Sequence, residues 1–191
     1  MNEHPTVFET PLQEIDLKSI EFKGLVIDIG GGGEGLVSRL EGERVCAVDV
    51  SLDRIREARI HGPSAHWTVA DGCSLCFRRD TFNVATLWFS LGYMRDWETK
   101  KAVLEEAHRV LRPNGILSIL AANVVSQQDR FLFNAQFTFP DGSISQISYG
   151  LVGNQNQSLE AVAKTLENSG FALLGSSDNR HWFRITAKSV E

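Results

Sequence analysis

Residues 24–35 read Gly24-Leu25-Val26-Ile27-Asp28-Ile29-Gly30-Gly31-Gly32-Gly33-Glu34-Gly35. The run from Gly24 to Ile29 is apolar, rich in β-branched residues and bounded by glycine, which is the pattern of a strand buried on both faces. Five of the six residues from Gly30 to Gly35 are glycine. Such a loop reaches positive φ and lets the backbone touch a ligand with no Cβ in the way. Leu36, Val37 and Leu40 then fall at helical spacing, and Gly42 ends a short helix. Buried strand, glycine loop and helix in that order open an α/β fold.

The same rhythm continues outward from this stretch. Arg44 to Val50 reads as a second buried strand, and Ser51 caps a helix from Leu52 to Ile60. His66 to Ala70 and Phe82 to Phe89 are the third and fourth strands, separated by the turn-rich stretch Asp71 to Asp80. Asp96 caps a longer helix, Trp97 to Leu111, with Val103, Leu104, Ala107 and Val110 on one apolar face. Pro113-Asn114-Gly115 turns that helix into a fifth strand, Ile116 to Ala121. Strands alternating with helices imply a parallel sheet joined by right-handed crossovers.

From Asn123 the pattern changes. Phe131, Phe133, Phe137 and Phe139 fall an even number of residues apart, and Pro140-Asp141-Gly142 turns into Ser143 to Tyr149, so 131–149 is predicted to be a β-hairpin inserted at the sheet's carboxyl edge. It is read as a substrate cap or as a surface pairing two copies in a homodimer. Ser158 caps a last helix, Gly170 ends it, and strands at Phe171 to Ser176 and Trp182 to Lys188 complete the chain. The 191 residues form one domain with residues 1–22 as an N-terminal extension.

Composition narrows the partners. A net charge of −5 supplies no broad positive field for nucleic acid or anionic lipid. No segment approaches the roughly 20 apolar residues of a membrane span, and the N-terminus lacks a signal-peptide pattern, so a cytoplasmic location is expected. Three cysteines do not make a disulfide framework. Cys73 and Cys76 have C-x-x-C spacing with no second pair, and no metal site is expected.

Asp49 closes the second strand about twenty residues after the glycine loop, where a carboxylate accepts hydrogen bonds from both ribose hydroxyls. An adenosine-bearing ligand follows. Two classes stay open, because Gly30-x-Gly32-x-x-Gly35 also fits the dinucleotide fingerprint.

Further landmarks carry a family likeness. Asp28, Gly30 and Gly32 form an acid followed by alternating glycines, and Asp71-Gly72 follows the third strand. Asp80-Thr81-Phe82-Asn83-Val84 enters the fourth strand, and Glu106-x-x-Arg109-Val110-Leu111-Arg112-Pro113-Asn114-Gly115 turns into the fifth. With Asp49, these make Gly24 to Leu120 resemble the class I S-adenosylmethionine-dependent methyltransferases, especially small ones related to quinone-biosynthesis methyltransferases. Two departures stand out: Asn83 replaces the family's usual Asp, and Glu34 occupies the place of its third loop glycine.

The likeness implies a Rossmann-like three-layer αβα sandwich with a mostly parallel seven-stranded sheet of order 3-2-1-4-5-7-6, its last strand antiparallel. It implies S-adenosylmethionine as cofactor, held by Asp28, Gly30, Gly31, Gly32, Asp49, Val50, Asp71, Gly72, Cys73 and Phe89. Glu34 is read either as a contact to the cofactor's ammonium or, preferentially, as a charge at the helix start. Trp88, Ser90 and Tyr93, after the fourth strand, are the substrate-side residues. A sulfonium is already a good leaving group, so a catalytic base is optional, and none is assigned. His4 is the one histidine considered for that role. The expected reaction is methyl transfer to a small molecule. The rivals are an NAD(P)-dependent oxidoreductase and a non-catalytic S-adenosylmethionine-binding protein. Leu87 to Tyr93 lacks the N/D-P-P-Y/F motif of amino-methylating enzymes, which argues against nucleic acid as acceptor.

Overall fold

The computed structural model describes residues 5–190; His4 lies outside them. Their strands are β1 (Val7–Glu9), β2 (Gln13–Asp16), β3 (Val26–Ile29), β4 (Val45–Asp49), β5 (His66–Val69), β6 (Phe82–Trp88), β7 (Leu111–Ala122), β8 (Arg130–Thr138), β9 (Ile144–Val152), β10 (Phe171–Asp178) and β11 (Trp182–Ser189). The helices are α1 (Leu36–Glu41), α2 (Leu52–His61), α3 (Trp97–Val110) and α4 (Leu159–Asn168).

The main sheet has seven strands in the order β10-β11-β7-β6-β3-β4-β5. Numbered among themselves along the chain, these strands give the order expected from the sequence, 3-2-1-4-5-7-6. β3, β4, β5, β6 and β7 run parallel, while β11 is antiparallel to both β7 and β10. All four residues of β3 are buried. Both sheet faces are covered, as a parallel sheet requires. On one face, Val103, Leu104 and Ala107 of α3 and Val162 and Leu166 of α4 pack with Ile27, Leu87 and Phe183. On the other, Val37 of α1 packs with Val26, Val45 and Val84.

Predicted caps are realised. Asp96 accepts a hydrogen bond from the Thr99 amide at 2.7 Å, Ser51 from Arg54 at 3.3 Å and Ser158 from Ala161 at 3.2 Å. One boundary differs: β7 begins at Leu111, and the expected turn lies within it. Leu111 is already extended and pairs with Phe82, and the next paired residues are Val84 and Ile116. Arg112, Pro113 and Asn114 loop out into solvent between these pairs, with Asn114 at φ 64°.

The inserted hairpin is present, but it is only half of a second sheet. β8 and β9 pair antiparallel over their full lengths, and β1 and β2 pair parallel with the two ends of β8. Because β9 occupies one edge of β8 throughout, β1 and β2 share the other. The N-terminal extension is thus the outer edge of the hairpin's sheet. Phe131, Phe133 and Phe137 of β8 are fully buried against Leu36, Phe89, Leu120 and Ala122, at the carboxyl end of the main sheet. Among the described residues no helix is long and apolar enough to cross a membrane.

Candidate active site

The glycine loop leaves β3 at the centre of the sheet, and the amides of Gly30 to Gly33 are engaged within the protein. Gly30 and Gly31 donate to the Val48 carbonyl at 2.8 and 3.1 Å, Gly32 to Asp49 Oδ2 at 3.1 Å, and Gly33 to the Arg54 carbonyl at 2.9 Å. The glycines therefore serve close approach rather than amide donation. Gly30 has φ 77°, and a Cβ there would lie 2.5 Å from Ser90 Cβ. A Cβ on Gly32 would lie 2.5 Å from Asp49 Oδ2. The bare loop thus clears the space in front of β3 and fixes Asp49 beside it.

That space is a cavity of about 460 Å³ at the carboxyl ends of β3, β4 and β6. Its floor is Ile29, Gly30 and Val48; Asp49 and Val50 form one wall, and Asp71, Gly72 and Cys73 the next. Ser90, Tyr93 and Met94 close the far side, with Thr99 and Val103 of α3 behind. Asp49 is 8 % exposed, and besides Gly32 it accepts from the Ser51 amide at 2.9 Å. Each carboxylate oxygen keeps lone-pair capacity for one more donor. Val50 is 69 % exposed and offers a planar ring an apolar surface at the rim. Asp71 accepts from the Cys73 amide at 2.9 Å. The Cys73 thiol is pushed up from its ordinary value by burial and by Asp71, so it stays a neutral wall group.

The E-x-x-R pair of the sequence supports this wall from behind. Arg109 is paired with Glu106 at 2.6 Å and donates to the carbonyls of Phe77 and Leu75, while Glu106 accepts from the Leu75 amide. These bonds pin the loop that follows Asp71.

A smaller recess adjoins the cavity beneath the second sheet, bordered by Asp28, Glu34, Phe89 and Tyr149 and sharing Gly30, Arg54 and Tyr93 with it. Phe89 has φ 60°, rare for an aromatic residue, and its ring packs in a triangle with Phe133 and Tyr149, each 5.3 Å away. The second sheet therefore holds the chain exit from β6.

Asp28 is 3 % exposed, and Thr86 Oγ1 lies 2.6 Å from its Oδ1 and 3.3 Å from the Ile27 carbonyl. Thr86 has one proton for two acceptors. Burial pushes the carboxyl up to about 7, against the lowering effect of the Thr86 hydrogen bond, with the nearby Asp49 adding to the rise. An acid raised in the folded state contributes stability at low pH that is lost as pH climbs through the folded value. Between about pH 5 and 7 this group is expected to cost about 1.4 kcal/mol per pH unit. Urea unfolding of Asp28→Asn across that range should lack this slope. Parallel curves for the variant and the parent would refute the assignment.

Of the residues singled out in the sequence, the large cavity gathers Gly30, Asp49, Val50, Asp71, Gly72, Cys73, Ser90 and Tyr93. Asp28, Gly31, Gly32, Glu34 and Phe89 border the recess instead. Trp88 is not on the large cavity but borders the recess, and its indole N–H donates to Ser118 Oγ of β7 at 3.1 Å. Glu34 does not serve the helix start, where Gly35 is the N-cap and the first turn carries no acid. It accepts a hydrogen bond from Ser145 Oγ of β9 and lies 4.0 Å from Arg39, because the left-handed Gly35 turns it away from the helix axis toward the second sheet.

Two residues at the site escaped sequence reading. Arg54 stands with Arg56 and Arg59 in α2, a composition that by itself reads as a solvated helix face. Arg56 is indeed exposed and paired with Asp53, but Arg54 lies next to the buried Ile55 and turns inward. Tyr149 looked like the end of a hairpin; its alternation with the buried Leu151 was the available signal.

Sheet, loop and acids together define a Rossmann-like domain that takes an adenosine-bearing ligand at the carboxyl ends of its strands. Residues 27–119 match the family described as "Methyltransferase domain". The chain is 30% identical over 115 residues to 2-methyl-6-phytyl-1,4-hydroquinone methyltransferase 2, chloroplastic, of Oryza sativa subsp. japonica, covering 57% of this chain and 32% of that protein. It is 30% identical over 125 residues to the ubiquinone/menaquinone biosynthesis C-methyltransferase UbiE of Hydrogenovibrio crunogenus, covering 59% and 48%. The chain thus spans 32% and 48% of the length of these relatives. A solved S-adenosylmethionine-dependent methyltransferase from Methanosarcina mazei superposes with a TM-score of 0.67 at 17% identity, covering 92% of this chain and 99% of that one, a likeness of fold. Residues 27–119 of the 191 thus match a methyltransferase domain, the fold is that of S-adenosylmethionine-dependent methyltransferases, and S-adenosylmethionine is the cofactor these likenesses imply.

The residues present suit that cofactor. Ser90 Oγ is buried in the cavity with no hydrogen-bond partner, and the bare face of Gly30 lies beside it. Asp49 keeps lone-pair capacity for further donors, as a ribose would require, and Val50, Asp71, Gly72 and Cys73 line the adjoining part of the cavity, where a base would fit.

Proposed function

We propose that this protein transfers a methyl group from S-adenosylmethionine to a small-molecule acceptor. The observation that carries the reading is the convergence of Asp49, Asp71-Gly72 and the unpartnered Ser90 hydroxyl on one cavity of about 460 Å³. The bound cofactor supplies an electrophilic methyl group on a sulfonium. The protein's part is to fix the ribose through Asp49, seat the base between Val50 and Asp71, and keep the reacting end dry beneath Phe89, Tyr93 and Tyr149. Aromatic faces tolerate a cation and leave it free to lose its charge. Among the described residues no histidine lines the cavity, which suits an acceptor that is itself nucleophilic. The named relatives act on hydroquinones or in quinone biosynthesis, and support a small organic acceptor.

Calorimetry with S-adenosylmethionine, S-adenosylhomocysteine and NAD tests the cofactor. The two sulfur compounds should bind, and NAD should not. NAD binding without a response to either would return the dinucleotide reading. Release of S-adenosylhomocysteine over a metabolite panel then tests turnover, and binding with no turnover throughout would favour a sensor.

A further inference from the structure

Arg54 reaches from the first turn of α2 across the glycine loop. Its guanidinium carbon lies 4.9 Å from the centre of the Tyr93 ring, and a terminal nitrogen lies 3.0 Å from where a Cβ on Gly33 would sit. It borders both the large cavity and the recess, so it stands where the two meet. Among the described residues its guanidinium makes no ion pair. Each nearby carboxylate is otherwise engaged: Asp53 with Arg56, Glu34 with Ser145, and Asp49 with the Gly32 and Ser51 amides. Asp28 is bonded to Thr86. A half-buried guanidinium has lost part of its hydration and has five donors to satisfy, and its planar fork matches a carboxylate. Two hydroxyls near it also lack partners. Ser90 Oγ is buried and unbonded, and Tyr149, 6 % exposed, makes no side-chain hydrogen bond among the described residues. Beside these polar tips, Phe89, Met94 and the faces of Tyr93 and Tyr149 supply apolar wall, while Asp28 and Glu34 border the recess and Arg95 and Asp96 the cavity.

We infer that Arg54 binds an acidic group of the methyl acceptor, so that the site takes small carboxylates with an apolar body, with Tyr149 and Ser90 donating to their remaining oxygens. This rests on the methyltransferase reading. Arg54 lies across the cavity mouth with Tyr93, while the proposed cofactor wall runs from Asp71 past Asp49 to Gly30. Burial holds the Tyr149 phenol well above its ordinary value, with Tyr93 and Glu34 adding to the rise, so it acts as a neutral donor and not as a base.

The test uses the full chain saturated with S-adenosylhomocysteine, into which phenylacetate, indole-3-acetate and octanoate are titrated beside their neutral amides. At least one acid should bind about tenfold or more tightly than its amide. Arg54→Gln should abolish that preference and leave S-adenosylhomocysteine affinity within about twofold; Arg54→Lys should retain part of it. Arg56→Gln, on the exposed face, serves as the control and should change neither. The inference is overturned if acids and amides bind alike, if none binds, or if Arg54→Gln weakens S-adenosylhomocysteine as much as the acids, which would give Arg54 to the cofactor. Absence of S-adenosylhomocysteine binding to the parent protein would instead overturn the methyltransferase reading, and with it this one.

Discussion

Replacing Asp49 with alanine is expected to weaken S-adenosylhomocysteine binding by at least about a hundredfold. A hydrogen bond to a charged group is worth about 1.5–3 kcal/mol, and the carboxylate has capacity for two ribose hydroxyls, so the direct loss is about 3–6 kcal/mol. A second effect adds to it. Asp49 also accepts from the amides of Gly32 and Ser51, and so holds the glycine loop and the start of α2 in place. Asp49→Asn keeps one oxygen and should fall between parent and alanine variant. Calorimetry reads both affinities, with thermal unfolding as the check on folding. An Asp49→Ala variant that binds within about fivefold of the parent would remove the ribose assignment.

The largest stability effect is expected at Phe133. Its ring is fully buried, stacked on Phe89 at 5.3 Å, and belongs to the cluster that fastens β8 and β9 to the end of the main sheet. Phe133→Ala should cost about 3–5 kcal/mol, a large share of the stability of an ordinary domain. Its neighbour Leu132 alternates to the other face of β8 and is only half-buried. Leu132→Ala should therefore cost clearly less. Urea unfolding followed by tryptophan fluorescence compares the two, and equal losses would mean that the phenylalanine face is not what joins the sheets. Phe133→Ala should also weaken ligand binding, because the left-handed Phe89 backbone would lose one of the rings that hold it.

Much of the main sheet was legible because its signals are local. Ser51, Asp96 and Ser158 sit directly before apolar stripes, and each caps the helix it announces. The acid ending β4 and the Asp71-Gly72 pair were readable for the same reason, since each follows a short run of strand residues. The second sheet was less legible. The alternating phenylalanines announced β8, but Val7–Glu9 and Gln13–Asp16 are too short and too polar to register as strands, and only their distant partner makes them so. Leu111 read as the end of the helix and Pro113-Asn114-Gly115 as a turn, yet the pairing of Leu111 with Phe82 makes Leu111 the first residue of β7 and places the turn within that strand. Arg54 illustrates the limit within the site. Helical spacing sets it about 200° from the exposed Arg56 and one turn before the buried Ala58, but the glycine loop that passes in front of α2 and meets its guanidinium is not legible in the residues of α2 themselves. Glu34 is similar, because its partner Ser145 lies 111 residues further along the chain.

The pairing of β1 and β2 with β8 sets an order in time. Thr6 and Thr10 bond to residues more than 120 positions away, Thr6 to Asp129 and Thr10 to Asn134. Contacts of such long separation close late, because the intervening chain must first lose much of its freedom. During synthesis, residues 7–16 emerge long before the strand they join, and the central sheet can assemble while they wait. Hydrogen exchange should accordingly find these first strands the earliest to open and the last to become protected on refolding.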